Sequence, residues 1–140
     1  MGAVKIEHGH LTGLKISGSH AAALIDEIPV LAAIAPFTRD GIEVHDAREL
    51  RIKESDRIAT VAKNLRLMGA TVDEFEDGLF VPGSQKLHGA EIDPAHDHRI
   101  SMAFAIAALR AEGDTLIHHS ECAAISFPEF YQLLDKVAER

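Results

Sequence analysis

Two segments, Leu24–Phe37 (LIDEIPVLAAIAPF) and Asp97–Ala111 (DHRISMAFAIAALRA), constrain this chain more than any other feature. Beyond its first few polar residues, each is apolar on nearly every side. A helix of that kind has no face to offer water, so other elements must cover it all round. Length and alanine content favour helix over strand. The longest apolar run, Ile28–Phe37, falls well short of the ~20 residues that cross a bilayer. Its expected place is the middle of a folded core. Asp26 stands where it would cap the first helix, Pro29 is tolerated in a first turn, and Pro36 helps end it.

The two segments also repeat. Ile28–Ala35 returns as Ile100–Ala107, Gly41 as Gly113 and Glu49 as Glu121, each 72 positions later. Met1-Gly2-Ala3 returns as Met68-Gly69-Ala70 after 67. Each half then reads as a hairpin, a buried helix, a strand and an amphipathic helix. In the first half, Val4–Glu7 and Leu14–Ser17 are the expected hairpin strands, with His8 and His10 in the turn. Gly41–His45 follows as a strand. The next helix carries Ile58, Val61, Ala62 and Leu65 on one face, is capped by Ser55 or Asp56, and stops at Gly69. In the second half, Ala70–Glu74 and Leu79–Pro82 flank the strong turn signal Asp77-Gly78. Ser84–His96 reads as a loop and Leu116–His118 as a strand. Phe127–Ala138 reads as a helix with Phe130, Leu133, Leu134 and Val137 at helical spacing. The expected class is α+β, in two tandem units of about 1–67 and 68–140. By the same logic a helix should precede Met1-Gly2-Ala3, so the chain reads as cut from something longer.

At 46% hydrophobic residues, 140 residues can bury the core of one domain or of two small packed units. A net charge of −8 argues against a nucleic acid held by a basic surface, and the lack of Trp argues against base stacking. The single cysteine, Cys122, excludes an internal disulfide and fits a reducing compartment, where it reads as a buried inert thiol. With no charged-then-apolar leader, the expectation is a soluble cytoplasmic protein without a membrane partner.

Chemistry concentrates in two places. Leu50–Ile58 (LRIKESDRI) sets Arg51, Lys53 and Arg57 against Glu54 and Asp56. A solvated helix start has this composition, but so does a site that aims cations and one carboxylate at an anion. Arg suits bidentate carboxylate or phosphate contacts, Lys adds a point charge, and Glu54 can carry a proton. The corresponding stretch of the second half, Cys122–Phe130, has no cation, so the fold does not require the charge. The second place is Asp97-His98-Arg99. A cation at a helix N-terminus is unfavourable by a few tenths to about 1 kcal/mol, which points to an anion nearby. The histidine pairs His8/His10, His96/His98 and His118/His119 come with no cysteine pair and no HExxH motif, so no metal is expected.

LIDEIPVLA (24–32), LRIKESDRI (50–58), the hairpin after Met68 (68–82), DHRISMA (97–103) and SFPEF (126–130) occur in one order and spacing. Together they resemble the C-terminal part of the 5-enolpyruvylshikimate-3-phosphate synthases. The resemblance implies βαβαββ units with buried helices packed on mixed sheets. It also implies transfer of the enolpyruvyl group of phosphoenolpyruvate to the 5-hydroxyl of shikimate 3-phosphate, with no cofactor, in the shikimate pathway to the aromatic amino acids. By motif, Asp26 takes the place of the carboxylate that removes the 5-hydroxyl proton, and Glu54 that of the acid/base at the phosphoenolpyruvate methylene. Lys53 takes the place of a lysine on shikimate 3-phosphate. Arg57 and Arg99 take the places of the arginines holding phosphoenolpyruvate, with His98 beside them. Glu49 replaces an asparagine that contacts substrate in some members, and Ile125 replaces a lysine. The resemblance further implies that the chain is one partial globule, two units of three, and lacks the N-terminal part of the enzyme. The expectations are a piece inactive alone and prone to self-association over uncovered apolar surface. The alternative is a stand-alone anion-binding or interaction module that keeps the fold without the reaction.

Overall fold

The computed structural model describes residues 2–138. Its centre is the pair of apolar helices foreseen from the sequence, α2 (Ile28–Ile34) and α4 (His98–Ala108). Ala32 and Ala33 of α2 and Ala103 and Ala107 of α4 are fully or almost fully buried. Such small side chains let the two helices approach closely, and this is the most extensive contact between elements. Phe104 and Ile100 of α4 are fully buried as well.

Both helices are shorter than expected. A first helix, α1 (Gly18–Ala23), and a turn precede α2, and a 3-10 turn at Ala35–Phe37 carries Pro36 and ends the segment. Asp26 does not cap α2. Glu27 holds that position, with no side-chain cap, and the Asp26 carboxylate is used elsewhere.

One sheet has four strands in the order β1-β2-β4-β3. These are β1 (Gly13–Ile16), β2 (Gly41–Val44), β3 (Asp73–Glu74) and β4 (Leu79–Val81). β1 runs parallel to β2, while β2/β4 and β4/β3 are antiparallel, so the sheet is mixed. The β3–β4 hairpin turns at Asp77-Gly78 as predicted. Gly78 is required there, because an added Cβ would lie 1.8 Å from the carbonyl oxygen of Val44. The expected first hairpin does not form. Among the described residues Val4–Glu7 has no strand beside it and lies exposed, while β1 finds a parallel partner in β2. A second sheet pairs β5 (Glu91–Ile92) with β6 (Leu116–Ile117) in parallel. The stretch 84–96 is therefore not a plain loop. A two-residue strand carries no readable period, which is why its pattern is silent.

Helix α3 (Arg57–Leu67) packs Ile58, Val61, Ala62 and Leu65 into the core. Asp56, not Ser55, caps it, accepting from Ala59 N at 3.0 Å. At its far end Gly69 adopts φ +89°, Ala70 N donates to Leu65 O, and Gly69 N donates to Arg66 O. This is the Schellman arrangement, for which a left-handed glycine is the usual residue. The last helix, α5 (Phe130–Val137), has no buried residue, and Phe127, Leu133 and Val137 are exposed. Among the described residues, no helix is long and apolar enough to cross a membrane.

Candidate functional site

Three helix starts converge beside α2. The turn before α2 brings Asp26 and Glu27. A 3-10 turn at Arg48–Ile52 leads through Lys53, Glu54 and Ser55 into α3 and Arg57. The start of α4 brings Asp97, His98 and Arg99. Asp97 caps its own helix, accepting from Arg99 N at 3.0 Å. The same carboxylate takes Arg57 Nε at 2.8 Å, Arg57 Nη2 at 3.3 Å and Ser55 Oγ at 3.0 Å.

Arg57 is the centre of this arrangement. Its side chain is 1% exposed and that of Asp97 is 0%, a buried ion pair. Its other nitrogens reach outward, Nη1 to Asp26 Oδ1 at 2.9 Å and Nη2 to Glu54 Oε2 at 2.6 Å. Those two carboxylates are open to water, at 40% and 51% exposure. Arg57 thus has one buried inner partner and two solvent-exposed outer ones.

Lys53 and Arg99 flank Asp26. Lys53 Nζ lies 3.8 Å from Asp26 Oδ1 and 2.7 Å from Glu49 Oε1. Arg99 Nη1 donates to the Asp26 carbonyl at 3.1 Å, and Nη2 lies 3.7 Å from Asp26 Oδ2. Desolvation pushes the Asp26 pKa up, but the Arg57 hydrogen bond and the Arg99 and Lys53 charges outweigh it and hold the carboxyl below its usual range. At Asp97 burial likewise pushes up, and Arg57 with Ser55 and Arg99 N again pulls the pKa below the ordinary value. Lys53 is raised, chiefly by its hydrogen bond to Glu49. In all, Lys53, Arg57 and Arg99 face Asp26, Glu27, Glu49, Glu54 and Asp97. Carboxylates outnumber cations, so no anion is held here without some of them giving way.

Asp26, Lys53, Glu54, Arg57, Arg99 and Glu49 therefore come together. His98 stands next in the chain and is buried. Ile125, at the end of a 3-10 turn over Ser120–Ile125, is exposed. Arg51 does not join the group. It points to the β3–β4 hairpin, with Nη1 2.9 Å from Glu74 and 3.1 Å from Asp56, and further hydrogen bonds to the carbonyls of Phe75 and Glu76. Of the three cations in this stretch, one ties the hairpin to the core. Ser55 and Asp97, which position Arg57, carry no sequence signal of that role. A buried aspartate is visible in sequence only as a helix cap.

Cys122 is buried, and desolvation raises its pKa, as expected of an inert thiol. Among the described residues no group of three His, Cys, Asp or Glu is placed to hold a metal.

A sequence profile of EPSP synthase (3-phosphoshikimate 1-carboxyvinyltransferase) matches residues 2–134. The chain belongs to the EPSP synthase family. It is 64% identical over 140 residues to the 3-phosphoshikimate 1-carboxyvinyltransferase of Koribacter versatilis, covering 100% of this chain and 33% of that relative. To the enzyme of the same name from Synechocystis it is 49% identical over 136 residues, covering 97% and 30%. A solved EPSP synthase from Acinetobacter baumannii superposes with a TM-score of 0.85 at 37% identity, over 91% of this chain and 30% of that one. The chain thus spans about a third of the length of the curated EPSP synthases it matches.

Proposed function

We propose that this chain supplies one wall of an enolpyruvyl transfer site, in the cytoplasm, acting on phosphoenolpyruvate and shikimate 3-phosphate. The observation that supports the reading best is the convergence of Asp26, Lys53, Glu54, Arg57 and Arg99 from three helix starts. Asp26 accepts the 5-hydroxyl proton as the oxygen attacks C2 of phosphoenolpyruvate. Glu54 delivers a proton to the methylene carbon and takes one back when phosphate leaves. Arg57 and Arg99 hold the anionic groups of phosphoenolpyruvate. Lys53, with Glu49 beside it, faces the phosphorylated sugar acid, and His98 adjoins Arg99 on the phosphoenolpyruvate side.

The partners of Arg57 suggest how it is made ready. Glu54 and Asp26 occupy its outer nitrogens and stand in for an anion's oxygens. When the anion arrives they swing off into solvent, which their exposure permits, while Asp97 keeps Nε in place. Glu54 and Asp26 are thereby released for proton transfer beside the substrate they gave way to. The surplus of carboxylates makes binding to this chain alone weak. The chain's partner in catalysis is the remaining part of the enzyme, and alone it does not turn over.

Calorimetric titration with millimolar phosphoenolpyruvate and shikimate 3-phosphate tests this. Weak binding that disappears in Arg57→Ala and Arg99→Ala is expected. A folded chain with no binding would leave only a stand-alone module with this fold. Measurable turnover by the purified chain refutes the need for a complement.

A further inference from the structure

The two parallel strand pairs of this chain are built alike up to one point, and there the second is incomplete. In the first, Arg39 N donates to Leu11 O at 2.9 Å and His45 N to Ile16 O at 2.9 Å. In the second, Glu112 N donates to Leu87 O at 2.9 Å and His118 N to Ile92 O at 3.0 Å. β6 therefore stands to β5 as β2 stands to β1, with Ile117 in the place of Val44 and Thr115 in that of Ile42. On its far side β2 is covered by β4, with Val44 opposite Leu79 and Ile42 opposite Val81. Among the described residues no strand lies on the far side of β6. Leu116 and His118 use their N–H groups on β5, so the N–H and C=O of Ile117 point to that open edge. Leu116 is exposed, and the Thr115 hydroxyl is buried with no partner among the described residues.

The chain also carries the strand that would fit. Leu79-Phe80-Val81 precedes Leu87, and its alternate residues Leu79 and Val81 face the core. Val4-Lys5-Ile6 precedes Leu11 with the same apolar–x–apolar pattern. Yet Val4 is 88% and Ile6 89% exposed, and among the described residues no strand pairs with the segment. An exposed apolar strand segment and an open strand edge on one molecule form a self-complementary, head-to-tail pair.

We propose that residues 4–6 of one copy add as an antiparallel strand to β6 of a second copy, using the contact that β4 makes on β2. The register follows from β2/β4: Val4 opposite Ile117, Lys5 opposite Leu116, Ile6 opposite Thr115. Val4 and Ile6 then turn inward as Leu79 and Val81 do, and the aliphatic stem of Lys5 covers Leu116. Main-chain hydrogen bonds supply the attraction and the alternation sets the face, as in strand addition generally. This contact does not depend on the enzymatic reading.

The test is sedimentation of the 140-residue chain over a concentration series. Apparent mass is expected to rise from one copy towards two or more. Ile6→Pro should hold the chain at one copy, since it removes a ladder N–H from a segment whose exposure makes it dispensable for folding. Mixing Lys5→Cys with Leu116→Cys under oxidised glutathione should join the two variants, at positions where both side chains are solvent-facing. A chain that stays at one copy at high micromolar concentration overturns the proposal. So does association that survives Ile6→Pro and is lost in Ile106→Glu. That result would move the contact to the slot of roughly 240 Å³ lined by Pro29, Val30, Met102 and Ile106 between α2 and α4.

Discussion

Replacing Asp97 separates what this residue does for the helix from what it does for Arg57. Asp97→Ala removes the α4 cap and the inner partner of a buried guanidinium together. Breaking a buried pair by removing one partner costs about 3–5 kcal/mol. Here Arg57 keeps Asp26 and Glu54 on its outer nitrogens, which places this loss near the lower figure. Losing the cap adds about 1 kcal/mol, for a total of about 4 kcal/mol. Asp97→Asn retains an oxygen that can cap α4 but not the charge, so it should cost about 1 kcal/mol less. The double variant Asp97→Leu with Arg57→Met removes both charges and should recover much of the loss, because an apolar pair of similar volume needs no desolvation. Urea unfolding at neutral pH measures all of these. An Asp97→Asn chain within 1 kcal/mol of the parent would refute the view that Asp97 is the fixed inner partner. A double variant worse than Asp97→Ala would refute the ion-pair account of the cost.

Three further outcomes follow from the same geometry. Asp26 and Asp97 are both held below their usual pKa of 3.8. Their contribution to stability is therefore present above that value and lost as pH falls through the lower folded values. Urea midpoints should drop steeply below about pH 4, and less so in Asp97→Asn. Arg51→Ala should cost about 1–2 kcal/mol through the β3–β4 hairpin while leaving phosphoenolpyruvate affinity unchanged; an affinity loss would return Arg51 to the site. Gly78→Ala should cost about 1–3 kcal/mol, because its Cβ would lie 1.8 Å from the Val44 oxygen.

The core and the hairpin at Asp77-Gly78 were legible because they rest on short-range signals. An all-round apolar run needs burial wherever it falls, and a turn dipeptide acts within four residues. Asp26, Lys53, Glu54, Arg57 and Arg99 were legible through motifs, and the structure brings them together. What was hidden depends on distant partners. Val4–Glu7 alternates like a strand, but strand formation needs a neighbour. Glu91–Ile92 is too short to show a pattern and is a strand because Leu116–Ile117 lies beside it. Arg51 and Arg57 are six residues apart in one charged stretch. Only Glu74 on a hairpin and Asp97 on another helix decide that one turns to the hairpin and the other to the charged cluster around Asp26.

Helix α5 rests on the molecule without a buried residue, joined to α4 by a hydrogen bond of 2.8 Å between Tyr131 Oη and Ser101 Oγ. So little contact makes it the element whose local opening costs least. Among the helices a protease should cut there first, at a rate set by how often α5 lifts rather than by whole-chain unfolding. The remaining product would still carry the three helix starts around Arg57.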